Sequence, residues 1–321
     1  MENKYNEITK TNYNNINIRF NILVDDILKN LNLDIKEYYE KFCLLSLIND
    51  YENGEWRINK FVNYLYDRVM EVGLSFEERK ILSDSPMSMV KRAISKLKPN
   101  DIKKSGEIGE ILLYGIMKDY YNALNVVPKI FHKTNRNTYV NGSDSVHITI
   151  NNGQINLWLG ESKFYKDVEK AVKNAIKSIK SILEDDKLKA EISMAYNSKD
   201  LNDMLKFNII DKNIYNNIKI MLNETNSLDE IKKQLHIPIL ILYECDITSL
   251  NNSINNDYKT NIIARHKKIV KKFFLDNFDF IEKVYKGEEI NFHLILFPVH
   301  SKEVISKFFF RKLEELEEKY D

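Results

Sequence analysis

The sequence predicts an α/β domain with a mixed central sheet, preceded by a helical region. Three observations carry this. Two near-continuous apolar runs, Ile237–Cys245 and Asn291–Val299, have the length and composition of strands buried on both faces. Ser145–Ile150 and Ile155–Lys163 flank Asn151-Asn152-Gly153, a tight-turn signal, and read as a β-hairpin. Stretches of helical periodicity separate and surround these strands, which is the pattern of a sheet layered with helices.

Residues 1–97 read as a mostly helical docking or regulatory region. Apolar residues from Asn21 to Ile48 recur at helical spacing, and Trp56–Met70 continues the pattern. Ser75, followed by Glu77 and Glu78, marks a helix start. A further helix is expected from about Ser88 to before Pro99. The pattern breaks at Lys98–Lys104, where a boundary is placed, so that 98–321 forms the second domain. Gly106–Leu124 reads as a long apolar helix. Val126–His132 has strand composition, with Pro128 confining it to an edge. After the hairpin, Lys166–Leu183 is an amphipathic helix with Val168, Val172, Ile176, Ile179 and Leu183 on one stripe. Residues 186–236 read as a helical insertion. Residues 257–285 read as helical, and Ser301–Tyr320 closes the chain as a helix.

Composition narrows the function classes. The 321 residues carry 48 basic and 47 acidic side chains, a net charge of +1, so contact with nucleic acid must rest on a local basic surface or on a partner. Two cysteines, Cys43 and Cys245, lie in apolar surroundings and supply neither a disulfide framework nor a cysteine-based zinc site. The polar N-terminus has no signal-peptide core, and the apolar runs are far short of a membrane span. The expectation is a cytoplasmic protein without membrane contact.

The chemistry concentrates in residues 142–165, GSDSVHITINNGQINLWLGESKFY. Glu161 and Lys163 are two apart on a strand, so they share a face with Leu157 and Leu159, while Trp158 and Gly160 take the other. Charges at the end of an apolar strand are costly to bury without a partner or ligand. Asp144 opens the preceding strand, and hairpin pairing brings it towards Glu161. Two carboxylates on adjacent strands suit Mg²⁺ or Mn²⁺. A lysine beside them can orient water or balance phosphate charge. The upstream helix begins Gly106-Glu107-Ile108-Gly109-Glu110; either glutamate could reach such a site, and Glu110 is preferred.

An Asp followed by Glu-x-Lys across a hairpin is the pattern of the PD-(D/E)xK nucleases, whose restriction-endonuclease-like core begins αβββα. GEIGEILLY, GSDSVHI and LWLGESKFY together resemble the HamA family, the nuclease subunits of the Hachiman anti-phage defence system, most strongly over residues 100–185. The resemblance implies a metal-dependent DNA nuclease using Mg²⁺ or Mn²⁺ and controlled by a HamB-like superfamily 2 helicase. It places Asp144, Glu161 and Lys163 at the active site, with Asp144, Glu161 and Glu110 as metal ligands. No nucleotide-binding G-x-x-x-x-G-K-[ST] motif occurs in this chain, so any ATP-driven step lies on the partner. The alternative is a catalytically silent nuclease-like subunit that binds and regulates a helicase.

Other residues carry less. His147 is expected on the opposite side of its strand from Asp144, as a hydrogen-bonded structural histidine. Ser162 lacks a Gly-x-Ser-x-Gly elbow, so serine hydrolysis is unsupported. Lys163, Lys166, Lys170, Lys173, Lys177 and Lys180 form a basic series that could steer a phosphate backbone, as could Arg265, His266, Lys267, Lys268, Lys271 and Lys272, although a solvated helix face is the more ordinary account of each.

Overall fold

The computed structural model describes residues 18–31, 33, 40–97, 106–128 and 142–318. Strands β1 (Asn21–Ile27) and β2 (Phe42–Ile48) come first, then a small hairpin of β3 (Tyr51–Glu52) and β4 (Glu55–Trp56). Helices α1 (Ile58–Gly73), α2 (Phe76–Ile81), α3 (Pro86–Lys96) and α4 (Gly106–Asp119) follow. Next are β5 (Leu124–Val127), β6 (Ser145–Asn151), β7 (Gln154–Tyr165) and α5 (Val168–Ile182). Four helices, α6 (Asp185–Tyr196), α7 (Lys199–Lys206), α8 (Lys212–Met221) and α9 (Leu228–Lys232), precede β8 (Leu235–Glu244). The chain ends with α10 (Asp246–Leu250), α11 (Asn256–Ile269), β9 (Asn291–Val299) and α12 (Lys302–Glu318).

Seven strands form one mixed sheet in the order β1-β2-β9-β8-β7-β6-β5. The three parallel pairings, β2–β9, β9–β8 and β8–β7, occupy its middle, and antiparallel pairs flank them. This places the two long apolar runs at the centre, where helices cover both faces. On one face Leu157 and Leu159 of β7 pack with Val172, Ala175 and Ile176 of α5. On the other, Trp158 and Phe164 pack with Ile108, Ile111 and Leu112 of α4 and with residues of α1 and α12. An apolar helix is what that second face demands, and eleven residues of α4 are buried.

The expected helix over Asn21–Ile48 is a correction: the segment supplies β1 and β2. Phe42–Ile48 is buried almost throughout. A seven-residue run apolar on both sides needs both faces covered, and here Phe42, Leu44 and Ile48 pack into the core on one face of the sheet while Leu45 and Leu47 pack into that on the other. β1, with Asp25 and Asp26, takes the sheet edge, where a half-exposed strand tolerates charge. One sheet therefore crosses the boundary expected near residue 98. That boundary segment and His132 lie outside the described residues. Helix α1 forms as expected, and α2 carries a full capping box between Ser75 and Glu78. Of the strand expected over Val126–His132, β5 begins earlier, at Leu124, ends at Val127 before Pro128, and sits at the other sheet edge; residues 129–132 lie outside the described residues. The helix expected over 257–285 holds to Ile269 and then tightens and loosens through π and 3₁₀ turns.

α1 and α4 are tied by a buried network. Tyr64 Oη donates to Asp119 Oδ2 at 2.9 Å and Arg68 Nη2 to the same oxygen at 2.5 Å, while Tyr114 Oη donates to Glu71 Oε2 at 2.6 Å. These bonds fix the helix that lies under the end of β7.

Candidate active site

The hairpin sets the site. Asn152 (φ 51°) and Gly153 (φ 81°) both take positive φ at the turn, the conformation that matches strand twist in a two-residue loop. The turn fixes the register as Asn151 opposite Gln154 through Ser145 opposite Gly160. Asp144 is one residue beyond that last pair, beside Glu161. Its N–H donates to Gly160 O at 2.7 Å. Its Oδ2 accepts from Ser162 N at 2.9 Å and Ser162 Oγ at 3.1 Å, so the carboxylate extends the ladder in place of a backbone carbonyl.

Glu161 and Lys163 lie on the α5 face of β7 and are hydrogen-bonded to each other. Glu161 is 2% exposed. Burial, then the charge of Asp144, pushes its carboxyl up to about 8, against the opposing pull of Lys163 and of Ser178 on α5. Burial draws the Lys163 ammonium down, but Glu161 and Asp144 outweigh it and hold it above its ordinary value. The structure thus brings Asp144, Glu161 and Lys163 together at the point where β6 ends and β7 meets α5.

Glu110 belongs to α4, on the other face. A Cβ at Gly109 would come within 3.1 Å of Ser162 Oγ, so glycine lets α4 press against β7 at the residue between Glu161 and Lys163. Glu110 then lines a small cavity with Asp144, Ser145, His147 and Tyr114. Asp144, at the strand end, lies between this cavity and Glu161. Glu107, one turn earlier, is half-buried. Among the described residues, no three His, Cys, Asp or Glu side chains gather closely enough to form a metal cage by themselves.

His147 differs from the expectation of a hydrogen-bonded histidine. It is buried, neither ring nitrogen has a hydrogen-bond partner among the described residues, and burial pulls its pKa down to about 3. Ser162 was not singled out for its hydroxyl, yet that hydroxyl holds Asp144; only the glycine at 109 hinted at a close approach there. Sequence reasoning also missed Glu191 of α6, inside the helical insertion. It accepts from Ser143 N at 3.0 Å and Ser143 Oγ at 2.9 Å, next to Asp144. Ser178, three turns into α5, carries no pattern that could have marked it.

Of the basic series, Lys166 is exposed just before α5 and Lys170, Lys173, Lys177 and Lys180 are exposed along it, while Ser178 on its inner side faces Glu161. The second basic cluster is not one surface. His266 is fully buried and bonded to Ser46 Oγ at 2.6 Å, and Lys267 donates to Leu31 O at 3.0 Å. No helix among the described residues is long and apolar enough to cross a membrane.

A search of curated proteins returned no match. The HamA family model matches residues 13–313, which includes both the β6–β7 hairpin and the N-terminal strands. With that match over most of its length, the chain belongs to the HamA family.

Proposed function

We propose that the chain is a metal-dependent DNA nuclease of PD-(D/E)xK type, the effector subunit of a Hachiman anti-phage defence complex in the cytoplasm, acting under control of a HamB-like helicase partner. One observation carries the reading: a nearly inaccessible carboxylate, Glu161, is held beside a second carboxylate and an ammonium at a strand end. Nothing in the packing of β7 requires a charge there. The arrangement costs stability, and such costs concentrate where chemistry is done.

The donor chemistry fits a hard divalent cation. Mg²⁺ or Mn²⁺ is commonly held by one or two carboxylates, with water and substrate phosphate completing the sphere. Asp144 and Glu161 would hold it, and Glu110 is placed to reach it only by way of the Asp144 side of the sheet. When bound, the cation polarises the phosphodiester and acidifies water. Asp144 is oriented for this by Ser162, which occupies its Oδ2. Lys163 stands at the same point, where its ammonium can balance charge on a phosphate and orient the attacking water. The exposed lysines of α5 offer a path for a phosphate backbone towards that end of β7.

The second reading, a silent subunit that binds and regulates a helicase, draws support from the lack of a three-ligand cage among the described residues and from the near-neutral charge. Plasmid cleavage by the purified chain with Mg²⁺ or Mn²⁺, beside Glu161→Ala and an EDTA control, separates them. Cleavage lost in both controls supports the nuclease. Cleavage that survives Glu161→Ala overturns the site.

A further inference from the structure

We infer that the helical insertion is part of the active site's framework, with Glu191 of α6 acting as the positioning residue for Asp144. The inference rests on the nuclease reading for what Asp144 does, but not for how it is held.

Asp144 lies outside β6, one residue before the strand begins. A residue at a strand end has regular pairing on one side only, so its position depends on what holds the backbone before it. That backbone is Ser143, which is buried, and both of its donors go to one carboxylate: N–H to Glu191 Oε1 and Oγ to Glu191 Oε2. Glu191 is itself 3% exposed and belongs to a helix 48 residues further along the chain. α6 is in turn anchored in the main core through Leu188 and Ile192, and the α7 cap residue Ser198 bonds to Val126 O of β5. A continuous path therefore runs from the insertion through Glu191 and Ser143 to Asp144, and from Asp144 Oδ2 to Ser162 on β7.

Chemistry favours a positioning role over simple packing. Burying a carboxylate is expensive, and an apolar residue would join α6 to the core at lower cost. What a carboxylate adds is two acceptors in fixed geometry, enough to lock one residue's backbone and hydroxyl together. Groups hydrogen-bonded directly to a metal ligand typically change metal affinity or activity about 10- to 100-fold when removed, and Glu191, which acts on Asp144 through Ser143, is expected at the lower end of that range.

The test compares Glu191→Ala and Glu191→Gln with Leu188→Ala, a fully buried residue of the same helix that faces the core and not Ser143. The first readout needs no metal: hydrogen exchange of the peptide spanning residues 160–165, which contains the Ser162 amide bonded to Asp144. Glu191→Ala should raise its exchange about 10-fold or more, Glu191→Gln less, because it keeps one acceptor. Leu188→Ala should leave it near wild type even when its urea midpoint falls as far. The second readout is Mn²⁺ affinity by calorimetry, expected to weaken about 10-fold or more in Glu191→Ala alone. Equal exchange at 160–165 in Glu191→Ala and Leu188→Ala overturns the inference. If wild type binds no Mn²⁺, the metal reading fails, and the exchange result still decides whether Glu191 holds Asp144.

Discussion

Glu161→Gln should make the protein more stable, and the size of the gain follows from the site. The Glu161 carboxyl is pushed up to about 8 by burial and then by Asp144, whereas the unfolded chain titrates it near the ordinary 4.5. The folded state therefore binds this proton more tightly than the unfolded state. For an acid shifted upwards, the penalty is absent below the unfolded value and grows as pH rises through the window from 4.5 to 8. At pH 7, about 2.5 pH units into that window, it amounts to roughly 3 kcal/mol at about 1.4 kcal/mol per unit. Glutamine keeps the shape and removes the titration. Urea unfolding in EDTA, followed by fluorescence of the buried Trp56 and Trp158, should give Glu161→Gln an unfolding free energy about 3 kcal/mol higher at pH 7 and a difference under about 1 kcal/mol at pH 5. A loss of stability at pH 7 would refute the reasoning. It would mean that the Glu161–Lys163 pair stabilises the fold as a salt bridge, and that no strain is stored at the site.

The opposite sign is expected at Asp119, a pair made for structure. Asp119→Asn removes the closer of the two carboxylates that pair with Arg68, leaving it the longer contact to Glu71, and should cost about 1–3 kcal/mol in urea unfolding, while DNA cleavage at a temperature where the variant is folded stays within about twofold of wild type. Lys163→Met keeps the stem's bulk but loses the charge, and should lower single-turnover cleavage by about 100-fold or more. His147 is held neutral to about pH 3 by burial but titrates near 6.5 when unfolded, so its contribution is complete above 6.5 and is lost as pH falls. Wild type should therefore lose about 1.4 kcal/mol more than His147→Gln for each pH unit between 5.5 and 4.5.

Much of this molecule was legible in the sequence because its signals are local. The NG turn, the alternation on either side of it and the two charges at the end of β7 place Asp144, Glu161 and Lys163 from two dozen residues alone. The central strands β8 and β9 declare themselves as apolar runs of strand length. β1 and β2 did not, for a physical reason. Apolar residues from Asn21 to Ile48 also recur at helical spacing, so no run of strand length stands apart there, and the partner that makes Phe42–Ile48 a strand, β9, begins at residue 291. The same limit hides the supports of the site. Ser162 holds Asp144 across 18 positions and Glu191 reaches Ser143 across 48, and neither link leaves a motif. Glu110 was legible as a helix-start acid, but a helical wheel that is apolar nearly all round could not say which sheet face it would meet.

The most direct test of the central claim is cleavage of plasmid DNA with Mg²⁺ or Mn²⁺, by the chain alone and with its helicase partner and ATP, each arm repeated with EDTA and with Glu161→Ala. The account predicts metal-dependent cleavage that disappears in both controls. No cleavage in any arm, or cleavage untouched by Glu161→Ala, would contradict it.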